Sequence, residues 1–292
     1  MGCQKGNGGK MKFTMYSQFS DIVSKRGIEY AAKYAVELGF SSVEIFANAD
    51  KPESYAIADI ASAKHARHVL EEAGLTVACY SVYVDLLENE EGEKELMKHV
   101  EFAAQIGSPY LHHTLIPENE LLENVSENEK MINLIVDAAG RIADFAAQFG
   151  IVCIYEDQGN YVNGIKGFGN FWNKMKQRSR NVGICGDLGN ILFVNETPET
   201  FLRTYVKDIY HVHVKDYLWK KASISPGRYW QKAKEDNWLR DTMIGSGVVD
   251  FETCLQVLKS GGYQGSYALE IDHPEPFEEG VYQAVEYLKR LY

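Results

Sequence analysis

Four segments in the second half of this 292-residue chain close on groups that can move protons or hold a cation. IVCIYED ends in Glu156 and Asp157. VGICGDLGN carries Asp187, with Asn190 just beyond. IYHVHVKD carries His211, His213 and Lys215, and YALEID carries Glu270 and Asp272. An extended strand alternates its faces, so Ile154 and Glu156 share one face, as do His211, His213 and Lys215, and Ala268 and Glu270. If those faces turn toward one centre, Glu156, Asp187, His213 and Glu270 meet there. Three carboxylates and an imidazole repel at such range unless a positive charge sits among them. One divalent metal ion resolves the conflict. The oxygen-rich donor set favours Mn²⁺, Mg²⁺ or Co²⁺, with Zn²⁺ also accommodated. Glu156 and Glu270 are then the two catalytic carboxylates, placed to take and return a proton on a carbon next to a carbonyl.

Further groups follow at other strand ends. Glu44 is expected to bond a substrate hydroxyl. YLHHT contains His112 and His113, of which alternation turns one inward; His113 is assigned to the substrate, against a purely structural role. Asn190 and Lys215 complete the substrate side, Lys215 either neutralising an oxyanion or pairing with Asp216 or Glu270. Trp219, Trp230 and Trp238 stand with Lys220, Lys221 and Arg228 in Tyr217–Gly247, which reads as the longest irregular stretch of the chain. That stretch is expected to cover the site and stack an aromatic ring, Trp219 first, on a sugar. The competing uses are a satellite core and a homo-oligomer contact.

These groups need elements to position them. Eight β-branched or aromatic runs recur: Phe13–Ser17, Ser42–Ala47, Thr76–Val84, Tyr110–Ile116, Ile151–Asp157, Val182–Asp187, Ile209–Lys215 and Ser266–Ile271. Helical spacing separates them, and Gly39, Gly74, Gly107 and Gly150 stop the first helices. The helix after the fifth run is expected only over Phe171–Lys176, because Gly164, Gly167 and Gly169 interrupt its start. Strand–helix alternation of this length predicts an α/β single-domain (β/α)8 TIM barrel over 12–292, with active groups at the strand C-termini. A doubly wound sheet would carry a Gly-rich phosphate turn after an early strand, and Ser17–Gly27 has none.

Hydrophobic residues make up 45% and charged residues 24%, which excludes a disordered chain. A net charge of -11 argues against broad nucleic-acid binding. No apolar run approaches the roughly 18 residues of a membrane span. Cys79, Cys153 and Cys185 lie in apolar runs and read as buried thiols. Residues 1–11 read as a disordered tail or tether. A cytoplasmic location is expected, the alternative being a periplasmic or lipid-anchored protein with Cys3 acylated, the one route to a membrane.

VEIF at Val43–Phe46, the YED strand, GDLGN, HVHVKD, GSGVVDF at Gly245–Phe251 and ALEID together resemble the xylose isomerase-like group, the sugar isomerase and epimerase superfamily of TIM barrels. The resemblance runs from about Lys12 to the end. It implies one divalent metal held by a Glu, an Asp, a His and a Glu on the fifth to eighth strands, matching Glu156, Asp187, His213 and Glu270, with His211 a buried neighbour. It also implies an isomerase or epimerase working through an enediolate on a ketose or aldose. The alternatives are a lyase or dehydratase acting on an inosose, a dehydroshikimate-like acid or a 3-keto sugar, and a non-catalytic carbohydrate-binding barrel. Asn190 stands where ketose 3-epimerases carry a substrate-binding histidine, which gives the lyase weight. Endonuclease IV, in the same group, needs three zincs and more histidines than this chain offers.

Overall fold

The structure, a computed structural model, describes residues 11–49, 51–52, 55–87, 90–116, 125–159, 161–271 and 277–292. Cys3, the rest of the expected tail up to residue 10, and Asp272 lie outside the described residues, while Met11 is described and buried. Eight parallel strands close into a barrel: β1 (Phe13–Met15), β2 (Ser42–Asn48), β3 (Thr76–Tyr83), β4 (Tyr110–His113), β5 (Val152–Glu156), β6 (Val182–Asp187), β7 (Ile209–Val214) and β11 (Tyr267–Leu269). Each pairs with the next in sequence, and β11 closes the ring onto β1. The strands are apolar on the helix side because helices cover the barrel all round. α1 (Phe19–Arg26), α2 (Ile28–Glu37), α3 (Ile60–Glu72), α4 (Glu90–Ile106), α5 (Val125–Ala147), α6 (Gly164–Arg178), α7 (Pro198–Tyr205), α8 (Phe251–Gly261) and α9 (Phe277–Leu291) supply that cover. Their starts are chemically marked: Asp59 caps α3 through Ser62 N–H at 2.7 Å, and Asp250 caps α8 through Thr253 N–H at 3.0 Å. The four stopping glycines all adopt positive φ, as helix ends of this kind require.

The barrel interior changes character along its axis. Thr14 and Ser42 bond across β1 and β2 at 2.6 Å. Cys79, Ile154 and Cys185 form a small apolar layer. Above it comes a polar layer that includes Glu44, Ser81, His112 and His213, with His211 beneath them at the level of Cys185, all buried. Register brings this about, with Glu156 beside Cys185, Asp187 beside His213, and Ala268 beside His213. The register slips once between Val43 and Glu44 and once between Ile184 and Cys185, both next to inward-facing polar groups.

Two expectations are corrected. α6 spans Gly164–Arg178, not Phe171–Lys176 alone. Its glycines are there for close approach: a Cβ at Gly167 would stand 2.3 Å from the Tyr161 carbonyl oxygen, and one at Gly169 would stand 2.7 Å from the Tyr205 hydroxyl. The long seventh stretch is also not irregular. It folds as β8 (Tyr217–Lys221), β9 (Gln231–Lys232) and β10 (Asn237–Asp241), an antiparallel sheet in the order β8-β10-β9. These strands are short and rich in charge, so alternation does not mark them. Asp216 anchors the return from this sheet, accepting backbone N–H bonds from Gly245 at 2.9 Å, Gly247 at 2.8 Å and Val249 at 3.2 Å. That is the physical content of the GSGVVDF motif.

Gly167→Ala tests the close-approach reading. Overpacking at this point costs about 1–3 kcal/mol, so the melting temperature falls. A glycine that were merely a weak helix former would instead gain about 1 kcal/mol on conversion to alanine, and a raised melting temperature would contradict the packing account.

Candidate active site and metal centre

β5, β6, β7 and β11 bring Glu156, Asp187, His213 and Glu270 to the mouth of the barrel. One donor atom from each lies within 4.8 Å of all the others. His213 is the hub. Its Nδ1 donates to Glu156 Oε1 at 2.7 Å and stands 3.7 Å from Glu270 Oε2. Its Nε2 faces both oxygens of Glu44 at 3.1 and 3.3 Å. Tyr16 stacks on its ring with 4.6 Å between centroids. Burial opposes a charge on His213, but Cys185 and the Glu44 and Glu156 carboxylates hold its proton well above the usual histidine range. Burial likewise works against the Glu156 charge, and His213 overcomes it, leaving that carboxyl below its ordinary range.

Asp187 is the strained member. Its Oδ1 accepts from the backbone N–H groups of Gly189 and Asn190 at 2.6 and 2.5 Å. Its Oδ2 is buried and has no hydrogen-bond partner. Burial, then the Glu156 charge, pushes its pKa up to about 7. Asp157, one residue past Glu156, bonds the Asp187 backbone N–H at 3.2 Å.

The remaining expected site residues divide. Lys215 pairs with Glu270 Oε1 at 2.6 Å and lies 3.7 Å from Asp241, so it is Glu270, not Asp216, that it meets. Asn190 lines the cleft, and its Oδ1 accepts from the Tyr217 hydroxyl at 3.4 Å. Glu44 is corrected: it is fully buried beneath the site and does not line the cleft. His211 Nε2 holds it at 2.7 Å, and His213 and the Ser81 hydroxyl bond it as well. It orients His213 and cannot reach a substrate. His211 sits one layer deeper than His213, as expected. His113 is corrected too. It points out of the barrel, bonding the Thr114 carbonyl at 2.8 Å and meeting Tyr155 edge-on. His112 is the inward member of the pair.

Trp219 is the third correction. It is 48% exposed and lies on β8, opposite Leu239, which on its other side pairs with Gln231 of β9. β9 and the turn after it border the cleft, so the whole width of β10 separates Trp219 from it. Trp230 and Trp238 are also off the cleft wall: Trp230 lies under Arg240, and Trp238 donates its indole N–H to Ala222 O at 2.8 Å. The seventh stretch thus borders the cleft through Tyr217, the segment from Gln231 to Asp236, and Asp241. Sequence reasoning missed Tyr16 and Ser81. Tyr16 is two residues past the inward-facing Thr14, and that spacing was the available signal.

Glu156, Glu270, Lys215 and Asn190 line a cleft of about 1750 Å³ at the C-terminal ends of the strands, with Asp187 and His213 buried just behind them. Residues 32–291 match the sequence profile of the xylose isomerase-like TIM barrel. The chain belongs to this family. Among its relatives, the inosose dehydratase of Clostridium beijerinckii is 23% identical over 238 residues, covering 75% of this chain and 77% of that one. Among solved structures, the 3-keto-D-glucoside 4-epimerase of E. coli superposes with a TM-score of 0.70 at 17% identity, covering 96% of this chain and all of that one. The zinc-bound IolI protein superposes with a TM-score of 0.70 at 18% identity, covering 97% and 99%.

The residues of this family member suit a divalent cation. Three carboxylates and one imidazole converge, one carboxylate oxygen has no partner, and one carboxyl is held at an unfavourable pKa by its neighbours. The remaining His213 nitrogen is fixed by a carboxylate, the arrangement that orients metal-binding imidazoles.

Two outcomes follow. A raised folded-state pKa contributes stability that is complete below the unfolded value and is lost as pH climbs through the folded value. For Asp187 that loss sets in above its ordinary carboxylate range and is complete once pH has passed about 7, and the raised His213 adds to it in the same direction. A cation has to displace these protons. Added Zn²⁺ or Mn²⁺ should therefore raise the melting temperature more at pH 8 than at pH 6, and an equal or smaller rise at pH 8 would contradict the assignment. Glu44→Gln, although Glu44 does not itself line the cleft, should weaken metal binding about 10–100-fold, whereas Trp219→Phe should leave it unchanged. Titration of both variants with metal decides between them.

Proposed function

We propose that the chain is a divalent-metal-dependent enzyme acting on a sugar or cyclitol carbonyl compound, abstracting the proton next to the carbonyl. The observation that carries this reading is the convergence of Glu156 and Glu270, from two separate strands, on one point shared with Asp187 and His213. A bound cation supplies Lewis-acid polarisation of the carbonyl, which acidifies the neighbouring C–H.

The chain's own groups do the rest. Glu156 is held through Oε1 by His213, leaving Oε2 on the cleft side, 3.7 Å from His112 Nε2. It takes the proton. Glu270 is held by Lys215 on its other oxygen and delivers a proton from the opposite side. Return to the same carbon on the other face gives an epimer, and return to the neighbouring carbon interconverts aldose and ketose. Tyr16 covers His213 on one face and helps keep bulk water from it.

A second reading has its own support. Lys215 places an ammonium group against Glu270, a proton donor suited to a departing hydroxyl, and the curated relatives include inosose dehydratases. In that outcome the same first step ends in loss of a β-hydroxyl.

Metal-loaded protein incubated in deuterated water with D-fructose and with scyllo-inosose tests both. Epimerisation or isomerisation leaves deuterium in a product of unchanged mass otherwise, and elimination yields a product lighter by one water. Glu156→Gln and Glu270→Gln should each cut turnover by about 10²–10⁴ with the fold intact by circular dichroism. Activity in both variants within about tenfold of the parent would rule out the two-carboxylate mechanism.

A further inference from the structure

A buried chain of three side chains, Glu44, Ser81 and His112, leads from the barrel interior to the cleft. Glu44 is the acceptor at the start of this chain: His211 and His213 turn Nε2 to its oxygens at 2.7 and 3.1 Å. The Ser81 hydroxyl also donates to Glu44 Oε1. Ser81 Oγ then has only lone pairs to offer His112 Nδ1, 3.0 Å away. Nδ1 has to carry a hydrogen and donate it. A neutral imidazole has one N–H, so Nε2 is left with a bare lone pair. The ring is neutral on geometric grounds as well. An imidazolium would direct a second N–H at Glu156, and the 3.7 Å separation leaves no such bond.

His112 Nε2 is thus a buried acceptor with no hydrogen-bond partner, on a side chain that lines the cleft. Beside it stands Glu156 Oε2, a second acceptor. Two acceptors this close require a donor from outside the protein, since an unpaired buried polar atom costs its full desolvation. A sugar or cyclitol hydroxyl is such a donor.

We propose that His112, through Nε2, accepts a hydrogen bond from a substrate hydroxyl beside the carbon that Glu156 deprotonates, with Ser81 and Glu44 as positioning residues that hold it in the accepting tautomer. This rests on the reading of Glu156 as the base, and it makes a free hydroxyl at that carbon a requirement for good binding. It also explains a serine and a glutamate in the barrel interior, where apolar residues would pack without hydrogen-bonding demands.

Long-range ¹H–¹⁵N correlation spectra of zinc-loaded protein with labelled histidine test it, with the His112 signals assigned from His112→Gln. The expected result is a pyridine-type Nε2 and a pyrrole-type Nδ1 in the wild-type protein, with loss of this preference in Ser81→Ala. Adding D-fructose, scyllo-inosose or a 3-keto-glucoside should move the Nε2 line in the direction of hydrogen bonding with at least one of the three. His112→Ala should raise KM about tenfold, the loss of one such bond, with kcat little changed, because the bond is made equally in ground and transition states. A protonated Nε2 in the free protein, or an Nε2 line that none of the three compounds moves, overturns the proposal. Failure of the base assignment shows elsewhere, as undiminished deuterium incorporation in Glu156→Gln with the Nε2 line still in place.

Discussion

His213 sits between two carboxylates inside a barrel that offers it almost no water. Glu156 takes one ring nitrogen and Glu44 the other. Neither carboxylate could remain charged in that interior alone, because an isolated buried ion costs many kcal/mol. Each is tolerable because the imidazole is there, and the imidazole keeps its charge because they are. Removing the imidazole leaves two buried carboxylates without it, and removing either carboxylate strips the imidazole of one of its two partners, so the fold around them has to hold all three in place.

The barrel does this by register. Asp187 and Ala268 flank His213 on the neighbouring strands, so the sheet ladder itself sets Asp187 beside His213 and places Glu270 two residues further along, toward the mouth. The register slip next to Glu44 adjusts where β2 meets β3, where Glu44 receives the Ser81 bond. The small sheet β8-β10-β9 then builds one wall of the cleft, packing Tyr217, Ala233 and Leu239 into a satellite core beside Leu192 and Phe193. Asp216 fastens its return to the barrel. One wall of the cleft is thus a small antiparallel sheet mounted on a rigid strand end, a common division of labour in barrels.

Much of this was legible in the sequence. The eight strands, the glycine-stopped helices and the three carboxylates that meet around His213 follow from residue type, strand-end position and period-two spacing. What was misplaced has physical reasons. His112 and His113 are adjacent, and alternation says that one faces inward without saying which; the register of β4 against β3 and β5 decides it. Glu44 looked like a substrate contact because it lies on the strand that carries VEIF, but a carboxylate with three internal partners is a support. Trp219 was misread because sequence proximity to His213 suggested spatial proximity, while an intervening β10 removes it. The glycines of α6 looked like helix breakers, yet they are where Tyr161 and Tyr205 press against the helix.

The central claim is that Glu156, Asp187, His213 and Glu270 share one cation. Anomalous diffraction at the zinc edge from a metal-soaked crystal tests it most directly. The account predicts a single strong peak about 2.0–2.2 Å from His213 Nδ1 and from an oxygen of each carboxylate, with Asp187 Oδ2 among them. A peak bound elsewhere, or one that leaves Asp187 or His213 outside its coordination shell, would contradict it.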